Sequence, residues 1–145
     1  MAVLPEVVLG TLRYREVPTL IPNTYPTGGV IAHLWLPRAN EKINVRTGVM
    51  FSRLQLDDGN RSFFRFPLQL EYLRPSGVFR PRFAYGPVFN NLTASTVSAT
   101  AGGMSQFGDR FFVSLTYEIE FEQALVFAPE KFLGQGAFLG CAIRL

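Results

Sequence analysis

The stretch RFFVSLTYEIEF, residues 110–121, decides the fold, because its apolar and polar residues alternate almost without interruption. One face carries Phe111, Val113, Leu115, Tyr117, Ile119 and Phe121, and the other carries Arg110, Phe112, Ser114, Thr116, Glu118 and Glu120. Successive side chains of a strand point to opposite faces, so the pattern predicts a two-faced strand. A soluble sandwich turns such an apolar face inward, whereas a membrane barrel turns it toward lipid. The function of the chain depends on that direction.

The composition narrows the class of protein. The chain has 145 residues, of which 48% are hydrophobic and 17% are charged, whereas a typical soluble domain has about 25% charged residues. This length predicts a single domain over residues 1–145. The net charge is only +3, and the arginines lie within alternating segments, so we expect no nucleic-acid partner.

Cys141 is the single cysteine and His33 the single histidine, which excludes a zinc, iron–sulfur or disulfide framework. We therefore expect no metal, no cofactor and no catalytic residues, and we do not expect an enzyme. No run of 18 uncharged apolar residues is present, so no transmembrane helix is predicted. The first twelve residues also lack the basic and long apolar regions of a secretory signal. We expect that an exported form has already lost its signal peptide.

Eight candidate strands follow one another along the chain. They cover about 6–16, 28–36, 42–53, 62–73, 78–90, 93–104, 110–121 and 137–145. A tilted strand needs roughly 9–11 residues to cross a bilayer, and soluble strands usually have about 5–6. The length and even number of the segments predict an all-β, eight-stranded antiparallel up-and-down transmembrane β-barrel.

The connections between these strands also predict a membrane barrel. Short turns are expected at 37–41, at 74–77 and near Gly108, and longer loops at 17–27, 56–61 and 123–135. Outer-membrane barrels have short turns on one side and longer loops on the other. The loop 123–135 is unusually apolar, which suits contact with a partner protein, with lipid headgroups or with the barrel mouth.

If the apolar faces point outward, the opposite faces form a polar network inside the barrel. The predicted interior polar network is Arg13, Arg46, Arg65, Glu71, Arg80, Arg82, Glu118, Glu120 and Arg144, joined by Arg15, His33, Trp35, Asn44, Gln69 and Thr116. The interior of an eight-stranded barrel is just wide enough for side chains to fill. Arginine and glutamate can pair there by bidentate hydrogen bonds, so a wide aqueous pore is not expected.

The alternation alone also allows a soluble, lipocalin-like barrel. In that alternative Phe64, Phe66 and Leu68 line an interior cavity that binds a hydrophobic small molecule. Strand length, loop asymmetry and low charge favour the membrane barrel over this alternative.

Three sets of side chains are of types that could take part in catalysis or ligand binding. Glu118 and Glu120 share a face and could act as an acid–base pair, but ion pairing with arginines is the favoured interpretation. His33 is expected to be a packed interior residue rather than a ligand or base. Cys141 lies between Leu139 and Ile143 on an apolar face, which favours a small apolar filler over a nucleophile.

Four short motifs are similar to those of a known family. They are TGVMFS at 47–52, FRFPLQLEY at 64–72, RPRFAYGP at 80–87 and FLGCAIRL at 138–145. In order and spacing they resemble the PorT-like outer-membrane β-barrel family of Bacteroidota-type bacteria. The resemblance implies a bacterial outer-membrane location, the lipid bilayer as a partner and no common catalytic activity. Some members of that family resemble accessory parts of secretion machinery, so other outer-membrane or secretion-machinery proteins are further candidate partners.

Overall fold

The chain forms a closed barrel of antiparallel strands in a computed structural model that describes residues 2–15, 19–35, 42–92, 94–125 and 128–145. The strands are β1 Ala2–Tyr14, β2 Tyr25–Trp35, β3 Ile43–Leu56, β4 Gly59–Leu73, β5 Phe79–Asn90, β6 Ala94–Phe107, β7 Phe111–Leu125 and β8 Ala128–Ile143. Each strand pairs with its sequence neighbour. β1 closes the sheet against β8, from the pair Glu6–Ala142 to the pair Tyr14–Gly134. The predicted eight-stranded up-and-down barrel is confirmed.

The apolar faces of the strands point away from the barrel centre. Leu70 of β4 is 66% exposed, and Leu115 of β7 and Leu139 of β8 are each 61% exposed. Phe64 and Phe66 also lie on the outer surface, with more than a third of their area exposed. The lipocalin-like alternative needed these aromatic side chains inside, and on this point it is wrong. Among the described residues, no helix is long and apolar enough to span a membrane.

β1 is the strand whose faces were predicted in the wrong direction. Val8 and Leu12 are buried inside, whereas Leu9 and Arg13 lie on the outer surface. The expectation of Arg13 and Arg15 in the interior is therefore wrong, since both are exposed. The physical reason is that the barrel interior is apolar near its ends, so the apolar face of β1 packs inward there, while Arg13 lies close to the end of its strand.

The interior has an apolar cluster at each end. The termini end, where β1 begins and β8 ends, is filled by Leu4, Leu73, Met104, Phe112 and Ala142, with Trp35 packed against them. The opposite end, here called the distal end, is filled by Val8, Leu12, Leu20, Tyr25, Ile31, Met50, Leu54, Leu56, Phe63 and Phe138. Buried charged side chains lie between these two clusters, because Glu6 separates Leu4 from Val8 along β1 and both Arg65 and Glu71 fall between Phe63 and Leu73 along β4.

The predicted asymmetry of the connections is wrong. Distal connections consist of residues 57–58, 91–93 and 126–127, besides the longer β1–β2 connection. The chain that was expected to form the long loop 123–135 instead extends β7 to Leu125 and begins β8 at Ala128. The two strands extend this far because strand pairing satisfies the hydrogen-bonding needs of their backbone N–H and C=O groups. Val126 and Phe127 of that expected loop lie outside the described residues.

Part of the β1–β2 connection packs over the distal end. Leu20 pairs with Leu56, the Ile21 amide donates to the carbonyl of Gln55 at 2.9 Å, and Leu20 is buried in the distal cluster. The barrel interior is thereby covered with apolar side chains at the distal end as well as at the termini end.

Candidate functional site

A ring of four side chains forms the termini-side half of the buried charged layer. Arg82 of β5 donates to both carboxylate oxygens of Glu6 at 3.1 Å, and its Nη2 lies 3.1 Å from Oε2 of Glu71. His33 of β2 joins the same two carboxylates, with Nε2 2.6 Å from Glu6 Oε2 and Nδ1 2.6 Å from Glu71 Oε1. The hydroxyl of Ser114 donates to Oε1 of Glu6, the oxygen that His33 does not contact. Each carboxylate is thus shared between one guanidinium and one imidazole.

A second group lies on the distal side of this ring. Arg65 of β4 donates to Glu118 and, at 2.9 Å, to Glu120, both on β7. The hydroxyl of Thr96 also donates to Glu120 at 2.9 Å. One nitrogen of Arg65, Nη2, thus bridges both carboxylates, and this pairing satisfies charges that are costly to bury alone. Glu118 and Glu120 therefore have the ion-pair environment that the arginine-rich faces predicted.

Gln69 connects the two groups. Its side-chain oxygen accepts a 2.7 Å hydrogen bond from Nη1 of Arg46, and its amide nitrogen donates to the hydroxyl of Ser98. Ser98 in turn donates to Glu118, and Nε of Arg46 lies 3.9 Å from Glu71. The result is one continuous buried network from Glu6 to Glu120, which we call the ion layer.

The charges of the ion layer balance when His33 is protonated on both nitrogens. The acidic members are Glu6, Glu71, Glu118 and Glu120, and the basic members are Arg46, Arg65 and Arg82. A neutral imidazole has one N–H donor, whereas both nitrogens of His33 face a carboxylate oxygen at 2.6 Å. Only Nε2 of His33 makes a hydrogen bond, to Glu6, whereas Nδ1 lies close to Glu71 without hydrogen-bond geometry.

The structure places the predicted network residues in three different locations. Arg46, Arg65, Glu71, Arg82, Glu118 and Glu120 are buried in the ion layer. Arg80 is half-buried at the termini end, with its guanidinium carbon 5.0 Å from the centre of the Phe112 ring. Arg144 is exposed, with its guanidinium carbon 5.4 Å from the same ring centre. Arg13 lies on the outer surface, so the predicted network is too large at both ends of the barrel.

Arg80 and Arg144 lie outside the ion layer because of their position along the barrel axis, close to the termini end. Both have the inward phase of their strands, since Arg82 and Ala142 next to them on the same face are buried. Phe112 and its neighbours fill the space beneath them, so the two guanidiniums lie over an apolar cluster. A position beyond the apolar cluster explains why neither residue enters the ion layer.

Glu6 is the functional residue that the sequence prediction missed. It contacts Arg82, His33 and Ser114, yet it lies on the face of β1 that was predicted to meet lipid. The available signal was a single carboxylate between Val3 and Thr11 in the middle of an otherwise uncharged stretch. A lone charge at mid-strand faces the polar side of a barrel wall, because lipid penalises it most at that depth. His33 is the packed interior residue that the sequence predicted, and the closed barrel places Glu6 and Glu71 beside it.

Gly140 of β8 provides the space that Glu6 occupies. It pairs with Val8 on one side and with Ser114 on the other, and a Cβ at this position would collide with the Glu6 carboxylate and the Ser114 hydroxyl. Arg82 and His33 hold Glu6 in place, so the carboxylate cannot move aside without losing those contacts.

We expect Gly140→Ala to lower the free energy of unfolding by about 1–3 kcal/mol, the usual cost of overpacking. Denaturant unfolding in lipid vesicles measures it. Gly28→Ala is the matched control, because a Cβ there meets first the flexible end of Leu9. An equal loss in the two variants would show that Gly140 has no special role.

Among the described residues, the ion layer occupies the middle of the barrel with buried side chains. Apolar clusters close it at both ends, and its charged groups bond to one another. In the described part of the chain, no group of three or more His, Cys, Asp or Glu side chains is arranged to hold a metal ion. Cys141 is exposed on the outer surface beside the apolar side chains of its strand. The arrangement supports a rigid, filled barrel.

Comparison with solved structures gives the same architecture. The crystal structure of Neisserial surface protein A (NspA) superposes with a TM-score of 0.68 at 9% sequence identity, covering 99% of this chain and 97% of that chain. At that identity the likeness shows a shared fold, and function has to be argued from the residues. No family model matches the chain, and no curated protein matches it either. Membership of the PorT-like family stays a prediction.

Proposed function

We propose that this chain, with the barrel fold it shares with a Neisserial surface protein, is a small integral barrel of a bacterial outer membrane. It acts there as a structural or partner-binding component and not as an enzyme. The observation that carries the proposal is the inverted distribution of side chains, with a wall of apolar residues outside and the ion layer inside.

The outer wall has the chemistry that lipid requires. Along β4 the outward residues Phe64, Phe66, Leu68 and Leu70 are all exposed, and they continue around the sheet as Phe83, Leu115 and Leu139. Soluble monomers rarely expose contiguous apolar patches larger than a few hundred Å². Closure of β1 on β8 leaves no unpaired sheet edge, which is the condition for β-structure to lie in hydrocarbon.

The filled interior supports a structural or binding role over transport. A solute would have to pass the termini-side cluster, the ion layer and the distal cluster, each built of packed buried side chains. Surfaces left for interaction are the lipid-facing wall and the two ends. Other outer-membrane or secretion-machinery proteins are the partners that the PorT-like resemblance implies for these surfaces.

Cell fractionation tests the location. We expect the protein to sediment with membranes and to stay there in high salt, because salt screens charge–charge attachment but leaves burial in hydrocarbon intact. Detergent is expected to release it as a folded barrel. Recovery of folded protein in buffer without detergent would overturn the proposal, because the exposed apolar wall would then have no lipid around it.

A further inference from the structure

We propose that the outer surface at the β1–β8 seam binds the phosphate-bearing headgroup of a membrane lipid. The site is a cleft of about 400 Å³ lined by Arg13, Arg15, Phe132 and Gln135, which we call the seam cleft. The inference rests on the proposed membrane location, and it adds a ligand class and a named site.

The backbone of the seam fixes the two arginines on one face. Arg13 pairs directly with Gln135 of β8, and the Arg15 amide donates to the carbonyl of Leu133. The intervening Tyr14 packs inside against Phe63, with ring centres 5.9 Å apart. Since side chains alternate along a strand, Arg13 and Arg15 both project outward, and both are exposed.

A bulge in β8 provides the floor of the seam cleft. Glu120 pairs with Gly134, but Phe121 pairs with Phe132, so Leu133 is the extra residue and is buried. Phe132 consequently packs against Phe121 on the outer side, with ring centres 6.2 Å apart, and the guanidinium of Arg15 lies 5.9 Å from the Phe132 ring centre. Bulges often redirect a side chain next to a functional site. Stacking on the ring holds one guanidinium in place at the mouth of the cleft.

The described side chains that line the cleft are rich in hydrogen-bond donors. Arg13 and Arg15 are cationic, and the oxygen of Gln135 already accepts from the hydroxyl of Tyr117, which leaves its amide nitrogen to donate. Paired guanidiniums match the geometry of a phosphate group. No carboxylate is present among the described residues that line the cleft. The charge and donor pattern therefore select an anion.

The position of the cleft relative to the apolar wall identifies the anion as a lipid headgroup. Leu9 and Leu139 face each other on the same outer surface of the seam, and they are 67% and 61% exposed. Arg13 lies four residues further along β1, about 13 Å at the rise of an extended strand. A phosphate held by Arg13 and Arg15 would lie at the membrane surface, and acyl chains attached to it would extend along Leu9 and Leu139.

Lipid binding to the detergent-purified protein tests the site, with phosphatidic acid as the probe and native mass spectrometry as the readout. We expect retention of phosphatidic acid, no retention of diacylglycerol, and about tenfold weaker binding of phosphatidic acid after Arg13→Gln and Arg15→Gln together, since two charge-assisted contacts are lost. Arg53→Gln is the matched control, because Arg53 is also exposed at the distal end but lies on β3. It should bind like the wild type.

Several outcomes would overturn the inference. Equal binding in the double variant and the wild type would show that the two arginines do not bind the lipid. Equal loss in Arg53→Gln would show a general effect of charge. Saturable binding of inorganic phosphate that matches phosphatidic acid would indicate a site for a free anion instead of a lipid. Insertion of the same preparation into phosphatidylcholine vesicles separates the two proposals. A barrel that inserts but shows no preference for phosphatidic acid contradicts the seam site alone. A barrel that fails to insert contradicts the membrane location.

Discussion

Arg82→Met is expected to lower the free energy of unfolding by about 3–5 kcal/mol, the usual cost of breaking a buried ion pair from one side. Arg82 bonds to both Glu6 and Glu71, and all three side chains are buried. Without the guanidinium, the buried Glu6 and Glu71 lose their nearest cation and keep His33 with the weaker contacts of Ser114 and Arg46. Reversible unfolding by denaturant in lipid vesicles measures the loss.

Two further variants give this experiment its control and its rescue. Arg53→Met removes an exposed arginine at the distal end and should change stability by less than about 0.5 kcal/mol. Combining Arg82→Met with Glu6→Gln and Glu71→Gln should recover part of the loss, because neutral amides need no counter-charge. If Arg82→Met cost no more than Arg53→Met, the ion layer would not contribute to stability.

Leu115→Arg is expected to cost about 2–4 kcal/mol in a bilayer, because a guanidinium near the membrane midplane must leave water. Leu115 lies on the outer face of β7, between Phe111 and Phe121 of the apolar wall, and is 61% exposed. The same exposed position on a soluble barrel would accept arginine at almost no cost. The substitution therefore measures which solvent surrounds the wall, again by unfolding in vesicles.

Val78→Arg is the matched control for position. Val78 is the residue before β5, in the connection at the termini end, and it is even more exposed than Leu115. Near the interface the cost of arginine falls to about 0–1 kcal/mol. Equal costs at the two positions would contradict a bilayer around the apolar wall.

The sequence predicted the fold where alternation is strong and uninterrupted. In β7 the outward Phe111, Val113 and Leu115 and the inward Glu118 and Glu120 have the predicted directions. The same holds for β4, in which Phe64 and Phe66 point outward and Arg65 points inward, as its alternation predicted. Two-residue periodicity is a local property, so it can be recognised without knowing the neighbouring strands.

The prediction failed where the direction of a side chain depends on its height in the barrel. Alternation defines two faces but does not say which is inner, and β1 carries apolar residues on both. Val8 and Leu12 turn inward because β2, β3 and β4 supply Ile31, Leu54 and Phe63 at the same end. The roles of Glu6 and His33 likewise depend on Arg82 and Glu71, which lie on other strands and meet them only in the closed barrel.

The ion layer also constrains how the chain can assemble. Glu6 comes from β1, His33 from β2, Glu71 from β4 and Arg82 from β5, so a half-formed sheet holds charges whose partners are still elsewhere. Glu6 and Arg82 are separated by 76 residues along the chain, and contacts of such long sequence separation form slowly. Closure of β1 on β8 brings Glu6 to Arg82 and Ser114, which a partial sheet without β1 leaves without this carboxylate. A misregistered or truncated chain would keep some of these buried charges unpaired. The network therefore favours the complete eight-stranded arrangement over such misfolded forms.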